Sequence, residues 1–161
     1  MNILIPDIKI PIINNDVISI KKLSEEFNNK KIIVFGVPGA FTPTCSEKHF
    51  PSFIKCYQEI INKKIEAIYC LSVNDQHVLR KWLQTYDNKN KIIGIADGNG
   101  DIARFLNLLV DKSKNFMGKR SARFAMIVKD NLVKKIFIDK PGEFNISSAQ
   151  YILRELNNES D

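Results

Sequence analysis

Short runs of apolar, mostly β-branched residues alternate along the chain with longer stretches whose apolar positions recur every three or four residues. That is the pattern of helices laid over a buried sheet, and the fold class it predicts is α/β, a central mixed sheet flanked by helices. Residues 8–13 and 17–20 flank Asn14-Asn15-Asp16, which tolerate left-handed backbone, and predict an opening hairpin. Residues 23–27 read as a brief helix capped by Ser24 or the residues before it. The run Ile32-Ile33-Val34-Phe35-Gly36-Val37 predicts a central strand ending at Pro38-Gly39. Over residues 44–61, Phe50, Phe53, Ile54, Tyr57, Ile60 and Ile61 mark one buried helical face, which Pro51 should kink.

A second central strand is expected over 65–73 and a third over 92–96. Between them a helix over 75–85 should turn Val78, Leu79 and Trp82 inward. Asp97-Gly98-Asn99-Gly100 reads as a turn, 101–106 as a helical segment, and the polar stretch 110–121 as an ordered loop. Residues 124–128 and 132–138, joined by Lys129-Asp130-Asn131, predict a hairpin. A closing helix over 147–156 takes Ser147 or Asn145 as its cap. No repeat or low-complexity linker interrupts the pattern, so one domain is expected over 1–161.

Composition narrows the function classes. With 161 residues, 44% hydrophobic and 26% charged, the chain has the balance of a globular domain. No apolar run approaches the roughly 18 to 20 residues that span a bilayer, and the opening Met1-Asn2-Ile3-Leu4-Ile5-Pro6-Asp7 lacks a leader's basic flank and apolar core. A soluble, cytoplasmic protein with no membrane partner is the expectation. The net charge of +6 is spread over scattered pairs such as Lys21-Lys22 and Lys134-Lys135 without interleaved aromatics. A solvated surface explains it better than nucleic-acid binding. Three cysteines are an odd number, no C-x-x-C is present, and His49 and His77 complete no ligand spacing, so neither a disulfide scaffold nor a metal site is expected.

Chemistry concentrates in Pro38-Gly39-Ala40-Phe41-Thr42-Pro43-Thr44-Cys45, between a central strand and a long helix. In open α/β sheets the crevice at the carboxyl ends of the strands is where ligands bind. A cysteine in the first turn of a helix meets unpaired N–H groups and the positive end of the helix dipole, which favour thiolate over thiol. The ordinary fate of a lone cysteine is a buried core, but Cys45 sits in a proline-rich turn rather than on an apolar stripe. It is the candidate nucleophile.

The segment Pro38-x-x-x-Thr42-x-x-Cys45 resembles the active-site motif of peroxiredoxins. The longer Gly36 to Ser46 run, with His49 and Pro51, resembles the type II, or atypical two-Cys, subfamily. Cys70-Leu71-Ser72-Val73-Asn74-Asp75, Ala96-Asp97-Gly98-Asn99-Gly100 and Gly118-Lys119-Arg120-Ser121-Ala122-Arg123-Phe124 match in order along the chain. The resemblance implies a thioredoxin-like fold and reduction of hydroperoxides by a thiolate, with no metal, haem or flavin. It assigns Cys45 as nucleophile and Arg123, rather than nearby Arg120, as the arginine that stabilises charge. Thr42 and the Thr44 and Cys45 amides would hold the peroxide, Pro38 would wall the site, and Phe41 and His49 would line it. His49 lies one helical turn from Cys45, but the resemblance gives it a scaffold role rather than that of a base.

The resemblance fails in one place. Many type II members carry a resolving cysteine near the last helix, and Pro141-Gly142-Glu143-Phe144-Asn145-Ile146-Ser147-Ser148 has none. Cys70 matches a second cysteine of some members but falls within an expected central strand, and a disulfide needs Cα atoms within about 7 Å. A one-Cys cycle is therefore favoured, resolved by glutathione with glutaredoxin or by thioredoxin, with a Cys45–Cys70 disulfide that needs local unfolding as the alternative. Cys56, beside Phe53 and Tyr57, reads as an inert core residue. A homodimer through loops near the site is also implied, with Phe41 and Phe116 as candidate contacts. Two other readings are a redox sensor or relay, and a thioredoxin-fold interaction module without catalysis. The joint presence of Pro38, Thr42, Cys45 and Arg123 argues against the module.

Overall fold

The structure is a computed structural model that describes residues 3–88 and 91–159. Met1, Asn2 and the last residues of the domain expected over 1–161 lie outside the described part. Eight strands form one mixed sheet: β1 (Ile3–Leu4), β2 (Lys9–Asn14), β3 (Val17–Lys22), β4 (Lys31–Val37), β5 (Ala67–Ser72), β6 (Ile92–Ala96), β9 (Phe124–Lys129) and β10 (Leu132–Ile138). Their order across the sheet is β1-β10-β9-β4-β5-β6-β2-β3. Strands β4, β5 and β6 run parallel, and β9 lies antiparallel to β4.

The period-two geometry of a strand divides the apolar runs between two cores. From β4, Ile33, Phe35 and Val37 face one side, where α2 (Phe50–Ile61), α3 (Gln76–Gln84) and α5 (Ala149–Asn158) pack. Ile32 and Val34 face the other side with Leu23 and Phe27, from α1 (Leu23–Glu26) and its end, and with Ile102 and Ala103 of α4 (Asp101–Phe105). The strand is buried on both faces, which is why its sequence reads as a continuous apolar run.

The backbone cap of α1 is Lys22, one of the residues expected before Ser24, and it makes no side-chain hydrogen bond, while Ser24 lies inside the helix with its side chain bonded to Asp7. Other expectations need correcting. In α3 the inward residues are Leu79, Trp82 and Leu83, while Val78, about 100° away around the helix, is 36% exposed. The expected loop over 110–121 holds a small antiparallel ladder, β7 (Leu109–Asp111) with β8 (Lys119–Ser121), around a 3₁₀ turn at Ser113–Asn115. The cap of α5 is Ser148, whose Oγ accepts from the Tyr151 amide. Pro51 is the second residue of α2 and follows a π-helical stretch at Cys45–His49 within a helical run that begins at Pro43.

Gly36 is a point of close approach. It pairs with Phe124 across β4 and β9, and a Cβ built on it would lie 2.0 Å from Phe124 Cε1. Phe124 is fully buried and has no room to retreat. Gly36→Ala should therefore destabilise the protein by about 1–3 kcal/mol through overpacking, seen as a melting temperature lower by several degrees. An unchanged melting curve would mean the ring is not held over that glycine.

Candidate active site

Strand β4 delivers Pro38 to the carboxyl end of the sheet, and the chain then turns sharply. Pro38, Gly39 and Ala40 are buried, and Phe41 adopts a left-handed conformation at φ 65°. Asn74, just beyond β5, fastens the turn: its Oδ1 accepts the Ala40 amide at 3.0 Å and the Ser72 hydroxyl. Thr42 Oγ1 donates to the Gly39 carbonyl at 2.7 Å, which closes the turn and fixes the threonine side chain. Helical backbone begins at Pro43, a residue suited to a first helical position. Thr44 and Cys45 therefore lie in the first turn, where no preceding carbonyl takes their amides.

From Cys45 to His49 the helix is π-helical, and the Phe50 amide donates to the Cys45 carbonyl five residues back. Such π turns are uncommon and concentrate at functional sites. The wider turn holds Cys45 and His49 both fully buried. Periodicity alone signals a helix here but not its type, since one inserted residue per turn leaves the apolar spacing of α2 intact.

Arg123 arrives from the far part of the chain. Because β9 runs antiparallel to β4, the start of β9 lies beside the end of β4, with Phe124 opposite Gly36. That register sets the side chain of the preceding Arg123 over the helix start. Its Nη2 donates to Cys45 Sγ at 3.4 Å across 78 residues of sequence, and its Nη1 meets His49 Nδ1 at 3.1 Å. Arg120 has its Nε donating to the Met117 carbonyl, and its Nη1 lies beside Gly39 of the turn.

The protonation of His49 follows from its partners. Nε2 lies 2.9 Å from the Ser147 carbonyl, which only accepts, so that nitrogen carries the proton and Nδ1 is left as acceptor for Arg123. Burial, then the Arg123 charge, pushes the imidazole pKa down to about 3. His49 is neutral at ordinary pH and acts as an anchor for the guanidinium. It lacks a free lone pair with which to deprotonate Cys45.

Behind His49 stands a carboxylate that the sequence reading missed. Asp139 accepts the amides of Asn145, Ile146 and Ser147 at 3.0, 2.9 and 3.3 Å, and the Ser147 hydroxyl, while its own amide donates to the Arg123 carbonyl. Burial pushes its pKa up, but the hydrogen bonds from Asn145, Ser147 and Ile146 outweigh burial and hold it below the usual value. A depressed folded-state pKa gives stability that is complete above the unfolded value near 3.8 and is lost as pH falls through the folded one. Asp139→Asn should lower the melting temperature at neutral pH and remove part of the wild-type acid sensitivity below about pH 4. Parallel stability–pH curves for the two proteins would count against this role.

Pro38, Thr42, Thr44 and Arg123 share one cleft, walled on its other side by Val110, Met117, Ile138 and Pro141. Three residues expected to line the site are not among those that line this cleft: Phe41 is 55% exposed, His49 is fully buried against Arg123, and Cys45 itself is fully buried. All three cysteines are free and buried. Burial pushes the Cys70 thiol pKa well up, the neighbouring Cys45 adds to this, and Arg123 opposes it. Among the described residues no group of His, Cys, Asp or Glu is placed to hold a metal ion. No helix there is long and apolar enough to cross a membrane.

A family model described as Redoxin matches residues 3–153. Peroxiredoxin-2B of Arabidopsis thaliana is 44% identical over 127 residues, 79% of this chain and 78% of that one. Among solved structures, the Plasmodium falciparum antioxidant protein, a 1-Cys peroxiredoxin, matches with a TM-score of 0.91 at 38% identity, covering 98% of each chain. Reduced Prx3 from Vibrio vulnificus in complex with H2O2 matches with a TM-score of 0.89 at 33% identity, covering 96% of each. With a cysteine and an arginine in contact at a helix start and a thioredoxin-like sheet in place, this chain belongs to the peroxiredoxins, in the type II group, and is a thiol peroxidase.

Proposed function

We propose that Cys45 is the sulfur that reduces hydrogen peroxide and alkyl hydroperoxides, and that an external thiol regenerates it. The observation that carries this reading is the Arg123 guanidinium 3.4 Å from Cys45 Sγ. A fixed cation at that distance is placed to stabilise the negative charge that develops as the peroxide bond breaks. The thiolate attacks the terminal peroxide oxygen in line with the O–O bond. A S–O bond forms, the O–O bond breaks, and the electron pair leaves on alkoxide or hydroxide, which takes up a proton. The Thr44 and Cys45 amides and Thr42 orient the peroxide, and Pro38 keeps water from the sulfur.

The resulting sulfenic acid is resolved by glutathione with glutaredoxin, thioredoxin being the alternative donor. Supporting this is the burial of Cys70 in β5 with its thiol strongly protonated, which makes it a poor internal nucleophile. A second reading, a Cys45–Cys70 disulfide, draws on the electrostatic proximity of those two sulfurs. A redox-relay role would use the same first step. We place the protein in the cytoplasm. It would act as a homodimer through the loops near the site, where Phe41 and the 99%-exposed Phe116 supply apolar area.

Mass spectrometry after one equivalent of peroxide, with and without glutathione, separates these cycles. The expected products are Cys45 sulfenic acid alone and a glutathione adduct on Cys45 when the thiol is added. A loss of two hydrogens with a Cys45–Cys70 cross-link overturns the one-Cys cycle.

A further inference from the structure

We infer that Asp139 is a positioning residue for the reaction, holding Arg123 at both of its ends so that the guanidinium meets Cys45 Sγ. The inference rests on the reading of Cys45 as the peroxide-reactive sulfur. At the backbone end the contact is direct. The Asp139 amide donates to the Arg123 carbonyl at 2.9 Å, one step past Phe124 and Ile138, the last paired residues of β9 and β10. At the guanidinium end the contact runs through Ser147 and His49. The Asp139 carboxylate accepts the amides of Asn145, Ile146 and Ser147 and the Ser147 hydroxyl. Those donors fix the backbone of Ser147, whose carbonyl faces His49 Nε2 at 2.9 Å. His49 Nδ1 then meets Arg123 Nη1 at 3.1 Å, and Nη2 of the same fork reaches Cys45 Sγ at 3.4 Å.

The imidazole transmits this placement because little else holds it. The rings of Phe35, Phe53 and Phe144 pack around it with centroids 4.9, 5.7 and 5.2 Å away, Phe144 coming from the same segment that Asp139 fastens. The ring nitrogens are left with the Ser147 carbonyl and Arg123 as hydrogen-bond partners. A carbonyl only accepts, so it selects the tautomer with the proton on Nε2 and leaves Nδ1 as an acceptor for the guanidinium. Were that carbonyl turned away, the proton could sit on Nδ1, and His49 would present a donor to a donor. Asp139 also lines the cleft, but its oxygens are taken by the donors of residues 145–147, so its influence on the sulfur passes through Arg123.

Asp139→Asn keeps the side-chain shape but replaces one acceptor oxygen with an NH2 group that faces N–H donors. Peroxide consumption in the first turnover should fall by about 10- to 10²-fold, the loss typical of a displaced catalytic group. The same substitution made on top of Arg123→Ala should cost less than about twofold further, since no guanidinium remains to be aimed. Ser147→Ala removes one donor to the carboxylate and keeps the carbonyl. It should show the same pattern with a loss of about fivefold, the factor one hydrogen bond is typically worth. Nitrogen NMR of the two histidines, His49 and His77, reads the relay itself. His49 should be the Nε2–H tautomer in wild type and a mixture of tautomers in Asp139→Asn. Melting curves establish which variants fold, and if Asp139→Asn does not, Ser147→Ala decides by the same comparisons. A folded variant that reacts at the wild-type rate, loses equally with and without Arg123, or leaves the His49 tautomer unchanged overturns the positioning role alone. A wild type that consumes no peroxide overturns the peroxidase reading and the positioning role with it.

Discussion

Cys45→Ser should consume peroxide no faster than background, a loss on the order of 10⁴-fold or more, as for removal of a catalytic nucleophile. The substitution exchanges sulfur for a slightly smaller oxygen in a fully buried position, so the fold should survive and a melting curve close to wild type is expected. What vanishes is the chemistry. A serine hydroxyl stays protonated at neutral pH even beside a guanidinium, and its oxygen is a poor nucleophile toward another oxygen. Direct measurement of peroxide loss under saturating thiol checks this, and a variant retaining a tenth of wild-type activity would remove Cys45 from its role. Cys70→Ser should leave the first turnover unaltered, since that thiol is buried and protonated.

Arg123→Ala should slow the first turnover by about 10²- to 10³-fold, the loss typical for one fixed donor at a developing negative charge. Two contacts disappear together, the donation to Cys45 Sγ and the donation to His49 Nδ1. The reaction of Cys45 with a neutral alkylating agent should also slow, because the sulfur loses the N–H donor beside it. Arg123→Lys should recover only part of the rate. A single ammonium cannot hold the imidazole and the sulfur at once as the planar fork does. An alkylation rate equal to wild type would show that the guanidinium does not act on the sulfur.

How much of this was legible in the sequence depended on distance along the chain. The doubly buried strand β4, the helical face of α2 and the Phe124 to Ile138 hairpin follow from local periodicity, and the structure has them. The turn from Pro38 to Cys45 was legible because proline, threonine and cysteine at fixed spacing have few alternative uses. The partners Asn74, Asp139 and Ser147 were not, because each works through hydrogen bonds to backbone or side chains brought near by folding. An aspartate after a strand looks like any surface acid. Val78 was misjudged because a valine at a helix start fits an inward stripe until the sheet sets which way the helix rolls. The ladder β7–β8 escaped notice since three-residue strands carry too little periodicity to register.

The pairing of β9 with β4 has a consequence for the chain as it is being made. Cys45 leaves the ribosome while Arg123 is still unsynthesised, and contacts of such long sequence separation are among the last to close. A nascent chain therefore carries the Cys45 thiol without its counter-charge, and docking of the antiparallel strand is what supplies the guanidinium that the proposed chemistry needs.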